Sequence, residues 1–292
     1  MFRLNKDNIH IDYILLGCAL ALTTIGFIMV FSASAVVAQQ RMGNSLFFIK
    51  RQLLFGIFGI LVMFILSKID YRLLRNLTYP MLFISILLLA LTYVPGLGIR
   101  VGGARRWLHI GPFTLQPSEF AKLSFILYLA YYFSKKKGTI REFKKGILPV
   151  LIIAGILVAL IYPQPDFGNA AFLCLMLITF LFIAGARLLH LALLGSLAIP
   201  VTLYAIFHAG YRHKRILSFL NPWKDPQHGG FQIIQSLLSL GSGQLFGRGL
   251  GNGQQKLFFL PAPHTDFIFS VIGEELGFVG VSILIILFML LL

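Results

Sequence analysis

Long uninterrupted apolar runs recur along this chain, near Tyr13 to Val37, Leu53 to Ser67, Leu77 to Val94, Phe120 to Phe133, Ile147 to Tyr162, Ala170 to Ala186, Leu188 to Phe207 and Phe267 to Leu292. That pattern leaves few folds open. In lipid every backbone N–H and C=O must be bonded within the protein, which restricts spanning segments to helices and closed barrels. The runs are continuous and lack the in-out alternation of barrel strands. The expected fold is therefore all-α, a polytopic helical membrane protein with about eight spans and a long extracytoplasmic loop before the last. Composition agrees, since 58% hydrophobic and 12% charged residues give too little polar surface to cover a water-soluble globule of 292 residues.

The first run is too long for a signal h-region and has no small-residue cleavage site, so it is expected to stay as the first helix. The final run stops at Leu290-Leu291-Leu292 without a basic flank or tail, which reads as a single membrane domain over residues 1–292 cut inside or just after that helix. A net charge of +15 invites nucleic acid as a partner, but the lysines and arginines fall in loops between spans, where lipid phosphate is the natural counter-charge. One set of short loops carries Arg3 and Lys6, then Lys68, Arg72 and Arg75, then Lys135, Lys136, Lys137, Arg141, Lys144 and Lys145. The opposite set carries Arg41, Lys50, Arg51, Arg100, Arg105 and Arg106. By the positive-inside rule the richer side, with the N-terminus, is cytoplasmic. The segments Pro95 to Pro117, Pro163 to Gly168 and His208 to Asp266 then face outward. Cys18 and Cys174 lie inside apolar runs and provide no disulfide framework.

The outer loop from His208 to Asp266 is too long to be a plain connection. Phe231, Ile234, Leu237 and Leu238 recur at helical spacing beside Gln232, Gln235 and Ser239, which predicts an amphipathic helix over Phe231 to Leu240 lying on the membrane surface. Ile216 to Trp223 reads as a second, with Trp223 at the interface. The glycines of Gly247-Arg248-Gly249-Leu250-Gly251-Asn252-Gly253 suit tight turns shaping a cavity wall. They are not a nucleotide loop, because the spacing is wrong and no βαβ unit surrounds them.

Three outward segments hold the candidate chemistry. In His264-Thr265-Asp266, Asp266 stands at the mouth of the last apolar run, and a carboxylate near hydrocarbon costs roughly 2.5 to 3.5 kcal/mol unless a polar cavity or partner receives it. Its structural role would be a helix cap worth about 0.3 to 1 kcal/mol. Glu274, about two turns on, could face the same cavity, with Glu275 rotated by ~100°. Before the fourth run, Pro117 suits a first helical turn that Gln116 or Ser118 could cap. Glu119 and Lys122, one turn apart, can pair, or Lys122 can meet an anion in a cavity. Arg105 and Arg106 either snorkel to headgroups or grip phosphate. In Gln164-Pro165-Asp166, Asp166 suits a turn acid bonding backbone amides, with the same cavity as an alternative. No metal-ligand spacing and no Ser-His-Asp or Cys-His set is evident.

Taken in order, Arg106-Trp107 through Gln116-Pro117-Ser118-Glu119, Gln164-Pro165-Asp166-Phe167-Gly168, Gln232 to Gly253, and His264-Thr265-Asp266-Phe267 through Glu274-Glu275-Leu276-Gly277 resemble the SEDS family, the RodA/FtsW group of bacterial cell-wall glycosyltransferases. Leu220-Asn221-Pro222-Trp223-Lys224-Asp225-Pro226 and Leu250 to Leu257 look more like the division branch than the elongation branch. Two positions depart from the pattern: Ala262 stands where the family usually has Glu, and Phe167 replaces the commoner Leu.

The resemblance implies ten membrane helices, of which about two are absent here, and polymerisation of lipid II into glycan strands for septal wall synthesis in the bacterial inner membrane. It implies a class B penicillin-binding protein transpeptidase and other division proteins as partners. Asp266 would be the general base on the acceptor's hydroxyl, and the change from an α-linked pyrophosphate to a β-glycoside requires inversion with no covalent intermediate. Lys122, Arg105 and Arg106 would offset charge on the departing pyrophosphate, with Glu119, Gln116, His264 and Thr265 as further substrate contacts. No cofactor is evident, and the sequence shows no ligand set for the divalent cation that could assist. A lipid II flippase and a non-catalytic division scaffold are the competing readings.

Overall fold

The computed structural model describes residues 12–101, 104–111, 113–136, 138–208, 210–257, 259–260 and 263–292. Arg3, Lys6, Lys137 and Ala262, which entered the charge and motif readings, lie outside the described residues. The helices are α1 (Tyr13–Met42), α2 (Phe47–Ser67), α3 (Leu74–Leu91), α4 (Pro117–Lys135), α5 (Leu148–Ile161), α6 (Phe167–Ile183), α7 (Leu188–His208), α8 (Gly210–Leu220), α9 (Phe231–Ser242) and α10 (Ile268–Leu291).

Among the described residues, six helical segments have the length and hydropathy of a membrane span, namely α1, α2, Tyr71–Leu91, Phe143–Ile161, α7 and α10. The other two apolar runs are α4, which carries Glu119, Lys122 and Lys135, and α6, which is only 17 residues long. The chain is thus an integral membrane protein whose eight apolar runs are all helices. Along α2 only Ile49 is buried while Leu54, Ile57, Phe58 and Leu61 point outward, as a helix bathed in lipid requires.

Two ends differ from the hydropathy reading. Helix α1 runs past Val37 because Ala38, Gln39, Gln40 and Arg41 are sound helix formers, and it stops where Gly43 turns left-handed at φ 67°. This places Arg41 on its last turn. Helix α2 begins six residues before Leu53, with the Arg51 guanidinium 5.7 Å from the Phe55 ring.

The all-α expectation contained no strands, yet Pro95 to Pro117 holds a three-stranded antiparallel sheet of β1 (Gly98–Val101), β2 (Ala104–Ile110) and β3 (Phe113–Leu115) in the order β1-β2-β3. Ile99, Trp107 and Thr114 supply branched and aromatic side chains that strands favour. Gly111, at φ 61°, turns β2 into β3.

The helices fall into two compact units, one of residues 1–69 and 204–292, the other of residues 70–203. The second is built on α3 to α6 around the fully buried Phe125, Leu129, Leu157, Leu173 and Leu181. The first packs α1 against α2 and α10, with α9 laid on α10, around Met29, Ala33, Leu260, Val271 and Ile272.

In the long loop before the last span the predicted α9 is present, but α8 ends before Trp223. Asn221 precedes a proline and leaves helical geometry, and Pro222–Lys224 form a separate 3-10 turn. On α9 Ile234 and Ser239 are buried, the Ser239 hydroxyl donating to the Ser270 carbonyl, while Gln232, Leu237 and Leu238 point outward. A hydroxyl buried there needs a protein partner, and Ser239 has one.

Candidate active site

Asp266 lies just outside α10. The helix N-cap is Phe267, which makes no side-chain cap bond, and the first turn is closed by the Ser270 and Val271 amides donating to the Phe267 carbonyl at 3.1 and 3.2 Å. Asp266 is therefore not the cap that its position suggested. It is exposed, and among the described residues no donor reaches its carboxylate.

Two residues earlier, His264 is half-buried, with its ring 4.3 Å from that of Phe48 and its Nδ1 buried without a partner among the described residues. Burial lowers its pKa, the Arg41 guanidinium lowers it further, and the Asp266 carboxylate opposes both. The imidazole is thus neutral at neutral pH. Arg41 and His264 line a cavity of about 460 Å³ together with Gln227, His228, Gln232, Phe231 and Phe259. This is the size of an ordinary small-ligand pocket, lined by rings, amides and one permanent cation. Thr265 is exposed beside it. Arg41 had counted only as a loop charge, and nothing in local spacing linked it to His264 some 220 residues away.

Because His264 resists protonation in the fold, the unfolded chain binds more protons between the depressed value and the ordinary 6.5. Stability then rises with pH across that window and falls as pH drops through about 6.5. Thermal melting of the wild type is expected to decline below that pH, and His264→Gln to flatten the decline.

Glu274 does not face a cavity as expected. It is fully buried, and its carboxylate accepts from the Gln254 and Gln255 amides at 2.8 and 3.2 Å. Glu275, also fully buried, pairs with Lys256 at 2.6 Å. The spacing argument assumed an unbroken helix through Asp266, whereas Asp266 precedes α10 and Gly277 interrupts it.

In the second unit, a strand's alternation separates the adjacent arginines: on β2 Ala104, Arg106 and Leu108 share the inward face, and Arg105 and His109 point out. Arg106 donates to the carbonyls of Gln164 and Pro165 at 3.2 and 2.8 Å, bracing the turn before α6. The Asp166 carboxylate caps α6, accepting from the Asn169 amide and side chain, and Gln116 reaches it at 3.5 Å. Lys122 pairs with Glu119 at 2.8 Å along α4 and lies 5.3 Å from the Phe172 ring. Arg105 makes no hydrogen bond or ion pair among the described residues. Arg106→Ala is expected to cost about 2 kcal/mol through its two charge-assisted bonds. Arg105→Ala should leave melting unchanged, so thermal unfolding of the two variants separates their roles.

Helices of membrane-spanning length, with a cavity and an uncommitted carboxylate beside the foot of the last span in the first unit, define a polytopic membrane protein with an enzyme-like site. The chain belongs to the FtsW, RodA and SpoVE family, described as "Cell cycle protein", whose sequence profile matches residues 12–292. It is 47% identical over 280 residues to the probable peptidoglycan glycosyltransferase FtsW of Trichlorobacter lovleyi, covering 96% of this chain and 74% of that one. Against stage V sporulation protein E of Bacillus subtilis it is 44% identical over 281 residues, covering 96% and 77%. Among solved structures, a peptidoglycan synthase complex that coordinates polymerization and crosslinking superposes with TM-score 0.72 at 32% identity, covering 96% of this chain and 75% of its counterpart. Thermus thermophilus RodA superposes with TM-score 0.64 at 30% identity, covering 96% and 72%.

Proposed function

We propose that this chain is a peptidoglycan glycosyltransferase that polymerises lipid II on the outer face of the bacterial inner membrane, with Asp266 as the general base. The activity follows the names of relatives such as that of Trichlorobacter lovleyi. The observation that carries the role of Asp266 is its exposed carboxylate, which neither caps α10 nor accepts a hydrogen bond among the described residues. In the step, the acceptor hydroxyl oxygen bonds to the donor's anomeric carbon, the bond to pyrophosphate breaks, and the proton passes to Asp266. The anomeric centre inverts, and undecaprenyl pyrophosphate leaves.

Lys122 and Arg105 are the cations proposed to meet the pyrophosphate, with Arg106 holding the adjoining turn. Gln116, Glu119, His264 and Thr265 complete the substrate contacts. Among the described residues no three His, Cys, Asp or Glu side chains gather to hold a metal ion, and no step is routed through one. The N-terminus is cytoplasmic in this reading, the site of action is the division septum, and a class B penicillin-binding protein crosslinks the strands. Charges within α10 would mark a flippase if they opened on a passage; Glu274 and Glu275 are instead fully enclosed and bonded inside the protein, which favours the transferase.

The test is glycan synthesis from lipid II by protein carrying the family's full length, in detergent with the cognate class B penicillin-binding protein. Strands from wild type and none from Asp266→Ala support the reading. Equal strands from both overturn the role of Asp266, and transfer of lipid II across vesicles without any polymer overturns the activity.

A further inference from the structure

The helix behind Asp266 is discontinuous, and a loop fills the gap. Gly277 sits at φ 68°, ψ −166°, so the amides of Phe278 and Val279 lose their helical partners, the carbonyls of Glu274 and Glu275. Phe278 and Val279 instead donate to the carbonyls of Gln244 and Leu245 at 2.9 and 3.1 Å. The two orphaned carbonyls accept from Arg248 and Gly249 at 2.9 and 3.0 Å. Backbone groups that lipid would leave unpaired are all satisfied by one insert.

The two buried acids hold the rest of that loop. Glu274 receives the Gln254 and Gln255 amides, with the Ser239 hydroxyl at 3.3 Å and the Arg248 guanidinium at 3.7 Å. Glu275 accepts from the Gly251 amide at 3.1 Å, from Lys256 Nζ at 2.6 Å, and from the Ser32 hydroxyl of α1 at 2.7 Å. Lys256, 4% exposed, also donates to the Gly251 carbonyl at 2.8 Å. Beyond it, Leu260 plugs into the core with Met29 and Val271, and the Ser270 carbonyl is held by Ser239. The segment carrying His264 and Asp266 is thus pinned on both sides to the same helix.

We infer that Lys256, Glu275 and Glu274 are positioning residues that latch the glycine-rich loop into the break of α10 and so fix where the Asp266 carboxylate stands. The inference rests on the reading of Asp266 as general base. An apolar pair of similar volume could pack as stably as this buried ion pair, so what the charges add is direction: they set the loop's register on the helix. By sequence the glycines suited a cavity wall and Glu274 a cavity lining, with Glu275 turned away; their hydrogen bonds join all of them into one device.

The experiment compares Lys256→Met, Lys256→Arg and the double variant Lys256→Met/Glu275→Met in the same lipid II assay, alongside hydrogen exchange of peptides spanning residues 247–257. Lys256→Met is expected to raise exchange there and to lower kcat by roughly ten- to a hundredfold with KM unchanged, the cost of a small misplacement of a reacting group. Lys256→Arg should restore most of both. The double variant, which leaves no unpaired buried charge, should melt near wild type yet keep the low kcat, and it carries the test if Lys256→Met fails to fold. Unchanged exchange overturns the latch. Raised exchange with wild-type kcat overturns the positioning role and leaves the reading of Asp266 intact. Wild-type kcat in an Asp266→Asn control overturns that reading, and the positioning role with it.

Discussion

Asp266→Asn is expected to lower glycan polymerisation by about 10²- to 10⁴-fold while the protein folds, melts and binds lipid II as before. The substitution keeps the side chain's shape and removes its capacity to take a proton. Ordinarily such a change at a helix start would also weaken the helix, by roughly 1 kcal/mol for a lost cap. Here no cap bond exists to lose, because Phe267 occupies that position and the first turn closes on backbone groups alone. The loss should therefore fall on kcat, with KM and melting temperature within error of wild type. A drop in both kcat and melting temperature would instead mark Asp266 as structural. The neutral His264 next to it adds no competing positive charge at neutral pH, so restoring the proton acceptor with Asp266→Glu should recover part of the rate.

What the sequence disclosed and what it hid divide along a physical line. Hydropathy depends on composition within one segment, so every apolar run appears as a helix, and α4 and α6 fall short as spans only because of charges or length. The position of Asp266 at the foot of the last helix was equally local. The faces of elements were not. Arg105 and Arg106 looked like a pair until β2 put them on opposite faces. Ser239 looked solvent-facing until the fold turned its hydroxyl onto the Ser270 carbonyl of α10. Least legible were the contacts of the buried acids: the Ser32 hydroxyl meets Glu275 across 243 residues of sequence, and no periodicity carries such information. The last apolar run holds three glycines, Gly273, Gly277 and Gly280, each costing roughly 0.5 to 1 kcal/mol against alanine in a helix interior, and local sequence does not single out the one where α10 breaks, Gly277.

That glycine yields the second large effect. Gly277→Ala is expected to destabilise the first unit by about 3 kcal/mol or more, seen as a fall in melting temperature and in the yield of folded protein. A backbone at φ 68°, ψ −166° is one that only glycine adopts without strain. An added Cβ would also stand 2.3 Å from the Gly247 nitrogen and 2.6 Å from the Leu245 oxygen. Neither atom can retreat cheaply, because Leu245 is the acceptor for Val279 and Gly247 lies between the residues that hold Glu274, Glu275 and Phe278. Moving the loop to relieve the clash breaks the very bonds that seal the helix gap against lipid. Gly155 offers the matched control: it lies inside α5, an added Cβ there meets nothing within 4 Å, and Gly155→Ala should be neutral or stabilise by up to about 1 kcal/mol. Hydrogen exchange at Phe278 and Val279 should rise in Gly277→Ala and stay unchanged in Gly155→Ala. Equal behaviour of the two variants would mean that the gap in α10, and the loop seated in it, are not what keeps this glycine in place.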